Sequence, residues 1–295
     1  MDVQPFASEG RKTPETKLSI VIRVVFFLAV ALSGLIILEP LLNFLGTVVA
    51  GTVGLGATGL LANLLTIKIF DRRPLADVGL QGTRKSIINL SLGLALGGGA
   101  AALMLLAPLL AGTGHLVQNT SSQATPLTLI FFLFTLLVAA MGEELIFRGY
   151  VFQLLVEKMG PFATILPMGV IFGVAHAGNP HSSRMGLLNT VIWGILLGYS
   201  FLRSHDLWLP IGLHFGWNVV LPLFGVNLSG LTIEVTRYSY QWDLSPIWSG
   251  GDYGPEGGLL ATIFVLALFF ALMRVPVRPQ IARVAPSLND PFDSP

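Results

Sequence analysis

The sequence contains no cysteine. Disulfides, thiolate metal ligands and a cysteine nucleophile are excluded together. Charge is almost as scarce: Asp, Glu, Lys and Arg make up 11% of 295 residues, and the formal net charge is +1. A balance so near zero offers nothing to attract nucleic acid, so the positions of the basic residues matter more than their sum. The chain is instead rich in apolar residues, 53% of the total with a mean hydropathy of +0.74, against roughly 45–50% in soluble domains. Lipid is the solvent that such a composition needs.

Apolar length, broken by glycine, proline and charge, predicts an all-α, polytopic membrane protein of about eight transmembrane helices. They fall near residues 19–38, 44–67, 87–111, 127–157, 162–178, 186–202, 207–224 and 258–273. Residues 1–18 read as a cytoplasmic N-terminal segment and 19–273 as a single transmembrane domain. Residues 274–295, with five of the 18 prolines, read as a disordered cytoplasmic tail. The run from Ile20 to Leu38 is too long for a secretory leader and is expected to be an uncleaved span, with Arg23 snorkelling near its end. The fourth stretch is too long to be membrane-buried throughout, so its second half, through Glu157 and Lys158, is expected to emerge or lie along the surface.

Alternating eight spans sort the cations. One side collects fourteen: Arg11, Lys12, Lys17, Lys68, Arg72, Arg73, Arg84, Lys85, Arg148, Lys158, Arg203, Arg274, Arg278 and Arg283; the other holds Arg184 and Arg237. The positive-inside rule then puts both termini in the cytoplasm, and a prokaryotic plasma membrane is the expected location. Aromatics in the loop 225–257 read as interface anchors. Glycine-rich stretches at 51–59 and 93–99 read as close helix packing.

Ionisable groups in a span cost a few kcal/mol, about 2.5–3.5 on insertion scales, so each that persists marks a functional site by default. Three clusters qualify: Glu143-Glu144 with Arg148, Phe172 with His176, and His214 with Asn218. Glu144 and Arg148 are an i, i+4 pair in the favourable order, whereas Glu143 faces about 100° away and is left for chemistry. His214 and Asn218, also i, i+4, project from one face. Glu143 lies 17 residues before Gly160 and His176 lies 16 after it, which sets them at similar height on antiparallel helices. A Glu and His pair can hold and deprotonate a water, and His214 and Asn218 can donate to the oxyanion formed when that water attacks a carbonyl.

With these residues the chain resembles the CAAX protease and bacteriocin-processing family of intramembrane endopeptidases, the one containing the Ras-converting endopeptidase. Its motifs E-E-x-x-x-R, F-x-x-x-H and H-x-x-x-N match Glu143, Glu144 and Arg148; Phe172 and His176; and His214 and Asn218, without departure at any motif position. Direct coverage is about 127–224, and the stretch from Arg72 to Leu80 is similar to a segment that precedes the family's catalytic half. The resemblance implies eight helices, with a site between the fourth, fifth and seventh. It implies that Glu143 and His176 activate water and that His214 and Asn218 form the oxyanion hole, supported by Glu144, Arg148 and Phe172. The cavity is implied to open to cytosol and membrane. The implied substrate is a membrane-associated or lipidated peptide or protein, with membrane lipid as surroundings and no nucleic acid; oligomeric state is not readable.

No cofactor is expected. Glu143, His176 and His214 could nonetheless ligate zinc as a two-His, one-carboxylate set, although H-E-x-x-H is absent. G-x-S-x-G is absent too, and Gly250-Gly251-Asp252 lacks the first glycine of G-x-G-D, which disfavours serine and aspartyl chemistry. Two other functions stay open. One is a non-catalytic membrane scaffold or bacteriocin-immunity-type protein. The other is a proton-coupled transporter using Glu143, which broken helices or an inverted repeat would support; no convincing repeat is present.

Overall fold

A computed structural model describes residues 16–280 and residue 282. The expectations for residues 1–15 and for most of the tail lie outside those residues. Among the described residues the chain forms ten α-helices: α1 (Lys17–Leu42), α2 (Thr47–Thr66), α3 (Arg84–Leu110), α4 (Pro126–Arg148), α5 (Tyr150–Met159), α6 (Pro161–Ala175), α7 (Arg184–Ser204), α8 (Trp208–Leu223), α9 (Pro246–Ser249) and α10 (Leu259–Arg274). The all-α expectation misses one element, an antiparallel pair of β1 (Gly114–Gln118) and β2 (Tyr238–Trp242), in which Leu116 faces Tyr240. The strands are far apart in sequence and each is short, so neither carries a local signal of its own.

Helix starts follow local chemistry. Thr83 and Thr125 open α3 and α4 with reciprocal capping, each hydroxyl accepting from a backbone N–H three residues on. Ser183 caps α7 by accepting from Gly186 N–H. All eight expected apolar stretches are helical. Five helical segments, Lys17–Leu45, Thr47–Asp71, Arg84–Leu110, Pro126–Met159 and Arg184–Ser204, are long and apolar enough to cross a membrane. α6 and α8 have 15 and 16 residues. At 1.5 Å per residue each spans only about 22–24 Å, short of a hydrocarbon core of about 30 Å. Non-helical backbone at membrane depth is tolerated only where protein or a wet cavity surrounds it, and the ends of these two helices carry or approach the motif residues.

Glycines seat each motif helix against a neighbour. α4 meets α2 where a Cβ on Gly59 would lie 2.7 Å from the Gly142 carbonyl oxygen. α6 meets α7 where Gly194 approaches the backbone of Gly169. α8 meets α3 through Gly93 and Gly97 on one side and Gly212 and Gly216 on the other, with a Cβ at position 97 colliding with the Leu213 carbonyl oxygen. Small residues replace the hydrophobic drive that is absent between helices in lipid. Gly97→Ala should therefore destabilise the protein by at least about 3 kcal/mol, the upper end of the overpacking range. Gly99→Ala, where nothing lies within 4 Å, should be nearly neutral. Thermal unfolding in detergent checks the contrast.

The long fourth stretch breaks at Gly149. Its second half becomes the separate helix α5, whose Tyr150, Val151, Phe152, Gln153, Leu154 and Val156 are buried against the protein while Lys158 and Met159 are exposed. Asn63 of α2 mends the break: its Nδ2 donates to the carbonyls of Gly59 (2.7 Å) and Leu145 (2.8 Å), and its Oδ1 accepts from Tyr150 N–H at 2.7 Å. Freed backbone groups are thus satisfied by a side chain rather than by water. The break is not of the ligand-lining kind that would favour a transporter, because Gly149 does not line the cavity described below.

Three further expectations are corrected. Arg23 does not snorkel; it turns inward to Asp71 (2.7 Å) and to the Tyr150 hydroxyl (2.8 Å), because the π-helical turn Ile67–Asp71 brings a carboxylate to it. The chain after α10 is not disordered over residues 275–280. Arg278 and Asn89 exchange two hydrogen bonds, Gln280 N–H donates to the Ser204 carbonyl, and the Gln280 side chain reaches Ser86 and Asp206. In the 225–257 loop, Tyr240 and Tyr253 are buried rather than placed at an interface, with the Tyr240 hydroxyl donating to the Leu105 carbonyl at 2.8 Å.

Candidate active site

Glu144 and Arg148 form the expected one-turn pair and extend beyond it. Glu144 Oε1 accepts from Arg148 Nη1 at 3.2 Å and also from His214 Nδ1 at 2.9 Å. The other guanidinium nitrogen donates to the Gly194 carbonyl at 2.8 Å. The cation lies over the Phe172 ring, 4.6 Å from its centroid, and Phe147 meets Phe172 edge-on at 5.0 Å. Both charges are fully buried. In such a setting paired charges hold only with further hydrogen bonds, and here those bonds tie α4 to α7 and α8.

Glu143, one residue earlier, faces a different environment. Its Oε2 lies 3.7 Å from His176 Nε2 and 3.9 Å from His214 Nε2. That oxygen is buried and has no hydrogen-bond partner among the described residues. The height argument for Glu143 and His176 therefore reaches the right pairing, although the helix it assumed to be continuous is broken at Gly149.

The two imidazoles are oriented by different partners. His176 stands at the C-terminal cap of α6, one residue after its last helical position. Its Nδ1 lies 2.8 Å from the Phe172 carbonyl; a carbonyl only accepts, so Nδ1 carries the hydrogen and Nε2 presents a lone pair towards Glu143 when the ring is neutral. For His214 the Nδ1 partner is the Glu144 carboxylate, again an acceptor. Its Nε2 can therefore donate only in the imidazolium form. Phe172, expected to be a core residue, is buried and touches both rings, with centroids 4.7 Å from His176 and 6.2 Å from His214.

Glu143, His176, His214 and Asn218 line one cavity of about 550 Å³. Asn218 stands one turn beyond His214 on α8. Much of the wall is apolar, from α1, α2 and α4, including Leu35, Val48, Leu55 and Phe132; the far end is polar, with Asn179, Thr190, Ser229 and Glu256. This suits a ligand that is mostly apolar with a polar backbone to be fixed. The atoms that a two-His, one-carboxylate zinc set would use are Glu143 Oε2, His176 Nε2 and His214 Nε2, the same three that face one another here at 3.7 and 3.9 Å.

One lining residue carried no signal in the sequence. Glu256 sits in a Gly-Pro-Glu-Gly-Gly loop that reads as solvent-facing, yet it is buried. Its Oε1 accepts from Trp217 Nε1 at 3.1 Å, and its Oε2 accepts from the backbone N–H (2.6 Å) and hydroxyl (2.8 Å) of Ser229. Burial pushes its carboxyl above the usual carboxylate range, against the pull of these donors. Glu256 thereby fixes the loop after α8 to the residue next to Asn218. Trp217 itself packs edge-on against Trp193 at 5.0 Å.

Comparison with known proteins covers the same part of the chain. A family model described as type II CAAX prenyl endopeptidase Rce1-like matches residues 125–220, which span α4 to α8 up to Val220. The Bacillus subtilis (strain 168) protein named "Putative membrane peptidase YdiL" is 32% identical over 117 residues, 38% of this chain and 45% of that relative. The match thus spans less than half the length of that relative. The segment matched by the family model holds Glu143, His176, His214 and Asn218 together with Glu144, Arg148 and Phe172, and over it the chain is similar to the Rce1-like CAAX prenyl endopeptidases.

Proposed function

We propose that the protein is an intramembrane endopeptidase that hydrolyses a peptide bond of a membrane-associated or lipidated substrate, within a domain of eight membrane helices. The observation that carries this reading is the approach of one unpartnered carboxylate oxygen, Glu143 Oε2, to the Nε2 atoms of His176 and His214 at 3.7 and 3.9 Å. Separations just beyond hydrogen-bond reach are the spacing at which a water bridges two groups. A water held there gives one proton to Glu143 while its oxygen attacks the scissile carbonyl carbon, and the hydrogen it keeps donates a hydrogen bond to His176 Nε2. The carbonyl oxygen takes the negative charge and is met by His214 Nε2–H and the Asn218 amide. Collapse of the tetrahedral intermediate breaks the C–N bond, and Glu143 returns its proton to the leaving nitrogen. Glu144, itself fixed by Arg148, orients His214, and Phe172 packs against both imidazole rings.

No step in this sequence passes through a metal. Cleavage by purified protein in detergent should survive exhaustive dialysis against a strong chelator, with zinc well below one equivalent by elemental analysis. Stoichiometric zinc whose removal abolishes cleavage would overturn the mechanism. Asn218→Ala should lower kcat by about 10²–10³, the usual effect of losing one oxyanion donor, with KM little changed. The substrate is identified by comparing the termini of membrane peptides from cells that carry the wild-type protein or Glu143→Gln. A scaffold protein would give identical peptides in both, and a transporter would give flux in liposomes without cleavage.

A further inference from the structure

Most of the basic residues lie at the end of the helix array away from the loops that line the cavity. The cavity end gathers the connections α1–α2, α3–α4, α6–α7 and α8–α10, and there β1 of the second connection pairs with β2 of the last. Ser229 to Glu256 and Gly230 N–H to the Tyr253 carbonyl bind its loops together. The other end gathers the α2–α3 connection, α5, the α7–α8 turn and residues 275–280. It is joined by Leu207 N–H to the Gly79 carbonyl (2.9 Å), the Gln153 amide to the Val78 carbonyl (2.8 Å) and Gln280 N–H to the Ser204 carbonyl (2.8 Å).

The loop residues that line the cavity come wholly from the first of these ends. Asn179 belongs to the α6–α7 connection, and Ser229, Thr232 and Glu256 belong to the α8–α10 connection. The apolar wall agrees, since Leu35 lies towards the end of α1 and Val48 at the start of α2. Of the 17 Lys and Arg residues, only Arg184 and Arg237 are at this end. Thirteen belong to the opposite end by chain order, Arg11, Lys12 and Arg283 among them lying outside the described residues, while Arg148 is buried beside the site and Arg23 pairs with Asp71. Lys and Arg in connections close to span ends are retained on the cytoplasmic side.

We infer that the cavity opens on the non-cytoplasmic face of the membrane, so that the peptide it takes is one already carried across: an exported peptide, or the outer flank of a membrane-anchored one. This departs from the cytosolic opening that the family resemblance implies. The substrate class rests on the peptidase reading; the direction of opening does not.

Because the chain lacks cysteine, single cysteines report sidedness directly. Thr232→Cys marks the cavity mouth, Ser121→Cys marks the α3–α4 connection beside it, and Ala76→Cys marks the basic end; all three positions are exposed. The full chain carrying each variant is expressed in bacterial cells and treated with a membrane-impermeant maleimide before and after permeabilisation. Cysteines at 232 and 121 should label to near completion in intact cells, and cysteine at 76 only once the membrane is opened, a difference of at least tenfold. The reverse pattern, or equal labelling of both ends in intact cells, overturns the inference. Two positions on the cavity end keep the test decisive if one variant fails to fold. Labelling does not depend on cleavage, so a failed peptidase reading leaves this result intact and the converse is equally visible.

Discussion

Glu143→Gln should reduce peptide cleavage by about 10²–10⁴-fold, the range associated with a general acid–base group, without measurable loss of folded protein. Glutamine keeps the shape and the polarity of the side chain but cannot take a proton from water or return one to a leaving nitrogen. The fold has little to lose, because Glu143 Oε2 makes no hydrogen bond among the described residues. Glu143→Ala enlarges the cavity and would confuse loss of the base with loss of shape, so the isosteric change is the sharper one. Single-turnover cleavage in detergent, alongside thermal unfolding of the same preparation, separates chemistry from folding. Cleavage at the wild-type rate would remove Glu143 from the mechanism, and an equal fall in both measurements would make it a structural residue.

The second large effect falls on stability. Arg148→Leu strips the buried Glu144 carboxylate of its guanidinium and leaves it only His214; breaking a buried ion pair in this way typically costs about 3–5 kcal/mol. It also removes the bond to the Gly194 carbonyl and the stack on Phe172. Glu144→Gln in the same chain should restore much of that stability, because the uncompensated charge disappears. It should not restore cleavage, since His214 Nδ1 then meets a neutral amide in place of the carboxylate. Unfolding and cleavage of the two single variants and the double variant form a cycle that measures the coupling. Recovery of both properties together would confine Glu144 and Arg148 to packing.

Much of the candidate site was legible because intramembrane charge is costly enough to be rare. In a chain with 11% charged residues, Glu143, His176 and His214 stand out against their apolar neighbours, and helical spacing separates Glu144, which pairs with Arg148, from Glu143, which does not. Glu256 was not legible. A carboxylate in a loop between glycines has an ordinary solvated explanation, and only the return of that loop over α8 makes it buried. The link from Glu144 to His214 was hidden for a related reason, since a separation of 70 residues has no periodicity to reveal it. Asn63 was read past because a single asparagine in an apolar run is common; its partners at the Gly149 break lie on other helices.

What the sequence by itself determined is the membrane setting, the helices, the asymmetry of basic charge and the residue types of the site. Each follows from local composition or from the 3.6-residue period, which depend only on near neighbours along the chain. What only the tertiary structure decided is which nitrogen of each histidine faces Glu143, how Glu144 reaches His214, that the fourth stretch breaks at Gly149, that residues 275–280 dock, and which connections line the cavity. These depend on how closely glycine lets one backbone approach another, at Gly97 against Leu213 and at Gly59 against Gly142. Contacts of that kind join residues far apart in the chain, and their geometry exists only once the helices have packed.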